Sequence, residues 1–139
     1  MTALDSNVLI ALWDSDPIIS QSASLACQKI QQNDVIGVCG PVFAELLGQP
    51  GRTIIRIRHL LEAADIQIDG DFGEIDWLTA GQAYEGYVSR RRSSGGGLPR
   101  KMLTDFLIGA HASVRGHSLL TLDRSTYRAA FPNLVLKSF

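Results

Sequence analysis

The sequence predicts an α/β fold built on a parallel sheet. Strand-like and helix-like segments alternate along all 139 residues, the pattern of a parallel sheet with helices on both faces. Two apolar strand-like runs, Thr2-Ala3-Leu4 and Leu119-Leu120-Thr121-Leu122, each end in an aspartate, Asp5 and Asp123. No internal repeat or linker interrupts the series, and the length suits one domain with a real core, so residues 1–139 are expected to form a single domain.

Each element has its own signal. Thr2 to Leu4 forms a short first strand, and Asn7 to Trp13 a helix that stops at the turn Asp14-Ser15-Asp16-Pro17. Asp16 before Pro17 pairs a capping acid with proline at the first helical position. The helix it starts runs to about Gln32, with Ile18, Ala23, Ala26, Cys27 and Ile30 near one face at helical spacing. Asn33-Asp34 turns the chain into the strand Val35 to Cys39. Gly40-Pro41 opens a helix over Val42 to Leu47, closed by Gly48-Gln49-Pro50-Gly51. A further helix covers roughly Arg52 to Ala64, and Ile66 to Ile68 is a short strand. Asp69 to Gly73 turns into a long helix over Glu74 to Ser89. Ser93 to Gly97 reads as a flexible loop, and Arg100 to Arg115 as a helix with Gly116 as its C-cap. Ser118 to Leu122 is a strand, Ser125 to Ala130 a short helix, and Leu134 to Leu136 a last strand.

Composition excludes several classes. Hydrophobic residues make up 45% and charged residues 19%, which argues against disorder. The net charge of −1 gives no global sign of a nucleic-acid partner, but the distribution does. Two acid-free windows, between Glu45 and Glu62 and between Glu85 and Asp105, hold eight of the thirteen cations. Local basic patches are therefore expected on a neutral body. Cys27 and Cys39 lack metal-knuckle or redox spacing and read as buried free thiols in a reducing compartment. No signal-peptide pattern is present, and no apolar run approaches the ~20 residues that cross a bilayer. A cytoplasmic protein without a membrane partner is expected.

Four acids carry the chemistry. In open parallel sheets, ligands bind outside the carboxyl ends of the strands. Asp5 and Asp123 end strand-like runs there, Glu45 stands about one helical turn beyond the strand ending at Cys39, and Asp105 opens an apolar helix. Clustered carboxylates repel one another unless a divalent cation neutralises them. Each acid also has a plain structural explanation. Asp5 and Asp123 precede helices and could serve as N-caps, and Asp105 could complement a helix dipole. Glu45, alone among Val42, Phe43, Ala44, Leu46 and Leu47, needs a partner or water. Taken together, the four point to a metal-dependent acidic active site.

The segment Asp5-Ser6-Asn7-Val8-Leu9-Ile10 resembles the opening motif of PIN-domain ribonucleases, as found in VapC-type toxins. Pro41 to Leu47, Leu103 to Ala112, Leu120 to Arg124 and Phe131 to Leu134 are similar to later segments of that family, in the same order. The resemblance implies a PIN-like three-layer α/β/α sandwich with a central parallel sheet of four to five strands. It implies a Mg²⁺- or Mn²⁺-dependent endoribonuclease that cuts structured RNA, the toxin of a type II toxin–antitoxin pair, with a cognate antitoxin and a homodimeric state. The family's acids carry over onto Asp5, Glu45, Asp105 and Asp123, and its small polar residue onto Ser6. Arg90, Arg91, Arg92, Arg100 and Lys101 are the natural candidates for phosphate contacts.

Other constellations fail. Asp69 to Glu74 lacks the glycine and terminal glutamate of a calcium loop and reads as a helix-start turn. Gly95-Gly96-Gly97 lacks the ending of a P-loop. His59, His111 and His117 are scattered and read as surface or core-edge residues. Trp13, Trp77, Tyr84 and Tyr87 lie at helical positions and read as core or interface. The competing functional readings are a non-catalytic binding module on the same fold and a metal-dependent phosphatase.

Overall fold

The computed structural model describes residues 1–96 and 103–139. Five strands, β1 (Thr2–Leu4), β2 (Ile36–Cys39), β3 (Gln67–Asp69), β4 (Ser118–Leu120) and β5 (Leu136–Lys137), form one sheet in the order β3-β2-β1-β4-β5. Every pairing is parallel. Seven helices flank it: α1 (Ser6–Leu12), α2 (Pro17–Gln31), α3 (Gly40–Leu47), α4 (Ile54–Ala63), α5 (Glu74–Ser93), α6 (Leu103–Val114) and α7 (Arg124–Ala130). The α/β sandwich with a five-stranded parallel sheet is the architecture expected from the alternation.

The strand order fixes where a site can form. The chain steps from β1 outward through β2 to β3, then crosses back to place β4 on the other side of β1. Parallel crossovers are right-handed, so the two directions of travel put their helices on opposite faces. Accordingly α1 packs on α2 and α3 on α4, while α5, α6 and α7 pack on one another. The carboxyl ends of β1 and β4 are thus the switch point, where a crevice opens.

The three inner strands, β2, β1 and β4, are buried on both faces. Leu4, Ile36, Val38, Leu119 and Leu120 are at most 1% exposed, and Val8, Val42, Ile57, Leu61, Phe106 and Ile108 cover them from the helices. Gly109 lets the Phe131 ring pack directly on α6, since a Cβ there would collide with it. Gly116, at φ 64°, ends α6 in the left-handed region as its sequence signal predicts. Asp65 takes the same conformation after α4, at φ 51° and without a glycine to announce it.

Three expectations are corrected. Ile18 is 75% exposed, so the inward face of α2 is carried by Ala23 and Cys27 instead. Helix α5 runs through Ser93, a turn beyond the expected Ser89, so the loop expected from Ser93 starts at Ser94, and its last residue, Gly97, lies outside the described residues. The last strand pairs at Leu136–Lys137 rather than from Leu134. Both cysteines are buried and free. No helix among the described residues is long and apolar enough to cross a membrane.

Candidate active site

Asp5 leaves β1 just past the pair Leu4 and Leu120, its amide donating to the Leu120 carbonyl at 3.0 Å. It precedes α1 in extended conformation, but its side chain makes no capping hydrogen bond. The carboxylate, 2% exposed, turns to the strand ends instead. Oδ2 accepts from Asn7 Nδ2 and from Thr121 Oγ1, each at 2.7 Å, and Oδ1 accepts from Ser6 Oγ at 3.4 Å. Ser6 therefore stands beside Asp5, where its expected supporting role would be exercised. Burial raises the Asp5 pKa above its ordinary value, and hydrogen bonds from Thr121 and Ser6, with the Tyr127 hydroxyl nearby, offset this only in part.

Glu45 and Asp105 come from helices that start at the same edge. Helix α3 leaves β2 directly, Cys39 being its N-cap residue, and carries the half-buried Glu45. Glu45 Oε2 is buried and has no hydrogen-bond partner. Asp105 sits in the first turn of α6. Tyr127 links Asp5 and Asp105: burial pushes its hydroxyl pKa far up, and the charges of both acids push it further. Its hydroxyl reaches toward Asp5 but makes no hydrogen bond of good geometry, which leaves a second orphaned polar atom at this edge. Cys39, pushed up to about 11 by burial with Asp5 and Asp69 adding to it, stays a thiol at neutral pH.

Asp123 has a defined structural task. It caps α7, with Oδ1 accepting from the Thr126 amide at 3.3 Å and Ser125 Oγ at 2.8 Å. Oδ2 accepts from Thr126 Oγ1 at 2.8 Å. Its own amide donates to Thr121 Oγ1 at 3.0 Å, so it stands one link away from Asp5.

No three His, Cys, Asp or Glu side chains among the described residues close into a group that could hold a metal ion. The donor set nonetheless suits a hard cation: a buried carboxylate disfavoured as an anion at Asp5, and an orphaned carboxylate oxygen at Glu45. Of the basic candidates, Arg90, Arg91 and Arg92 lie in the last turn of α5. Arg100 and Lys101 lie outside the described residues.

A family model described as the PIN domain matches residues 2–132, nearly the whole chain. The chain belongs to the PIN-domain family. Among curated proteins none matches it significantly. Its fold is similar to VapBC2 from Rickettsia felis, solved bound to a DNA fragment from its promoter, at 20% identity and a TM-score of 0.70, covering 99% of this chain and 97% of that one. VapBC-1 from nontypeable Haemophilus influenzae is similar at 20% identity and a TM-score of 0.66, covering 99% and 96%. DNA-bound VapBC from Salmonella typhimurium follows at 15% and 0.65, again covering 99% and 96%. At these identities the likeness is one of fold.

This PIN domain holds features its sequence did not reveal. Asn7, Thr121 and Tyr127 surround Asp5, yet only their proximity in space marks them. Asn7 also accepts the Leu122 amide at 3.1 Å, fastening α1 to the end of β4. A second polar cluster gathers about Arg115, just past the far end of α6. Arg115 pairs with the buried Asp76 and contacts Asp69 and Asp71. The Asp69–Glu74 turn is thus the expected helix start, with Asp76 accepting the Gly73 amide at 2.7 Å. His111 is 1% exposed and belongs to this cluster, 3.4 Å from Asp69, which corrects its expected surface or core-edge placement. Burial, aided by Arg115, lowers its pKa and keeps it neutral at pH 7. Trp77, expected in the core or an interface, is 55% exposed.

Proposed function

We propose that this PIN domain is a Mg²⁺- or Mn²⁺-dependent endoribonuclease that cuts structured RNA. The observation that carries the reading is the buried carboxylate of Asp5 at the switch point, its pKa raised by burial, where the sequence has built an anion it cannot stabilise alone. Asp5, Glu45 and Asp105 would hold the cation, with Asp123 completing the set from its capping position. When bound, a divalent ion stabilises charge on phosphoryl oxygens and eases loss of a proton from water. Asn7, Thr121 and Ser6 fix the position of the Asp5 carboxylate. Arg90 to Arg92, with Arg100 and Lys101, supply phosphate contacts, and selectivity comes from the exposed bases of an RNA loop.

The wider setting follows from the assemblies with which the fold is shared. Similar structures include VapBC complexes and a toxin–antitoxin complex from Klebsiella pneumoniae. We infer that this chain is a VapC-type toxin that acts in the cytoplasm as a homodimer and is held inactive by a cognate antitoxin. The test is expression of the chain alone followed by sequencing of cellular RNA ends. Growth should arrest, a small set of RNAs should acquire new ends, and purified protein should reproduce those ends with Mn²⁺ and not with EDTA. Harmless expression together with no metal-dependent ends would return the chain to the non-catalytic binding module.

A further inference from the structure

Helices α5 and α7 do not close on each other completely. Between them lies a hollow of about 330 Å³, lined by Tyr87, Arg90 and Arg91 of α5, Phe106 of α6, and Ser125 and Thr126 of α7. It adjoins the acidic edge twice. Phe106 follows Asp105 in the first turn of α6, and the Ser125 and Thr126 hydroxyls both bond the Asp123 carboxylate. A second hollow of about 290 Å³ shares Arg90 and Ala130 with the first, so a groove continues along α5 away from the acids.

The lining is chemically divided. Its inner wall is aromatic, with Tyr87 and the buried Phe106 in contact at a centroid separation of 5.5 Å. Its rim carries two guanidinium groups, and none of its described lining residues is acidic. Gly86, one turn before Arg90, leaves room for its guanidinium. A Cβ there would stand 3.2 Å from Arg90 Nη1, so the guanidinium lies back along the groove over bare backbone. Aromatic walls take flat rings, and arginine forks take phosphates. A hollow at the small end of ligand pockets with both features has room for about one nucleotide.

We propose that this hollow is a nucleotide-binding subsite for the RNA substrate. One base rests against Tyr87, which Phe106 backs from beneath, its flanking phosphate is held by Arg90 and Arg91, and the next phosphodiester is delivered to the edge that carries Asp105 and Asp123. The subsite rests on the ribonuclease reading but does not require metal for binding.

The experiment is fluorescence anisotropy of a labelled single-stranded RNA octamer of mixed sequence, titrated with the full chain in EDTA across a salt series. Arg90→Ala should weaken binding about fivefold to tenfold and reduce the log–log salt slope by about 0.7, the loss of one phosphate contact. Tyr87→Leu should weaken binding by about fivefold or more at every salt concentration without changing the slope, while Tyr87→Phe keeps it. Lys29→Ala on α2 should bind as the wild type does. Wild-type affinity and salt slope in Arg90→Ala, in a protein that still cuts RNA with Mn²⁺, would overturn the subsite and leave the nuclease intact. A wild-type chain that neither binds the octamer nor cuts RNA would overturn both. Because Arg90 is exposed, that variant will fold, and a Tyr87→Leu variant that binds as the wild type does would likewise overturn the subsite.

Discussion

Thr121 donates its hydroxyl to Oδ2 of Asp5 at 2.7 Å, joining the carboxyl ends of β4 and β1 across 116 positions of sequence. Thr121 Oγ1 in turn accepts from Asn7 Nδ2 at 3.3 Å and from the Asp123 amide at 3.0 Å. One fully buried hydroxyl therefore fixes the switch point. Thr121→Val keeps the shape and removes the donor, leaving a buried carboxylate less satisfied. It should lower stability by about 1–3 kcal/mol at pH 7 in urea unfolding, and by less at pH 3, where Asp5 is protonated.

The sign of the Asp5 shift gives a second prediction. Its pKa in the folded protein lies above the ordinary 3.8 because of burial. The folded state therefore holds its proton longer, and metal-free stability falls as pH rises from 3.8 through the folded value. Asp5→Asn should remove that fall. The amide oxygen can still accept from Asn7 and Thr121, and its nitrogen can donate to Ser6 Oγ. Urea melts in EDTA should show the variant more stable than wild type at pH 7, with the gap closing near pH 3. Metal-dependent RNA cleavage should be lost.

Asp76 behaves oppositely. Burial pushes its pKa up, but the Arg115 hydrogen bond and charge, with the Gly73 amide, outweigh this and hold it below 3.8. The pair contributes stability above pH 3.8 that is lost as pH falls through the folded value. Arg115→Met strands a buried carboxylate and should cost about 3–5 kcal/mol at pH 7. Denaturation at pH 3 should shrink that cost. Because this cluster lies beyond the far end of α6 from Asp105, Mn²⁺ affinity of the folded variant should be unchanged.

Asp123 separates capping from catalysis. Asp123→Ala removes three acceptor contacts from the start of α7 and should cost about 1–2 kcal/mol, while Asp123→Ser restores the cap to within about 0.5 kcal/mol. The serine variant should lose less kcat/KM than Asp5→Asn, since the Asp123 oxygens are already engaged by three donors. Equal losses would place Asp123 on the metal as directly as Asp5.

The fold was legible because its signals are local. Pro17 after Asp16, Pro41 after Gly40, and Gly116 after α6 mark helix ends by backbone sterics, and the ends stand at those residues, with α3 starting at Gly40, two residues ahead of the expected Val42. Boundaries slipped where a long-range partner decides. Strand β5 is set by pairing Leu136 with Leu119, which nothing in Leu134 to Leu136 discloses. At the site, the carboxylates announce themselves as charges in apolar runs. Thr121 and Tyr127 do not, because a threonine in a strand and a tyrosine in a helix look like packing until the sheet brings them to Asp5. The burial of His111 escapes local reading for the same reason: it depends on Phe72, stacked on it at 5.7 Å, and on Asp69, both far from it in sequence.

The central claim is that Asp5, Glu45 and Asp105 share a divalent cation, and anomalous scattering from a crystal grown with Mn²⁺ tests it most directly. The account predicts a peak at the carboxyl ends of β1 and β4, about 2.0–2.6 Å from an Asp5 oxygen. Glu45 and Asp105 should ligate it directly or through one water, and the peak should vanish in Asp5→Asn. Full Mn²⁺ occupancy elsewhere with none at Asp5, or a peak unchanged in the variant, would contradict it.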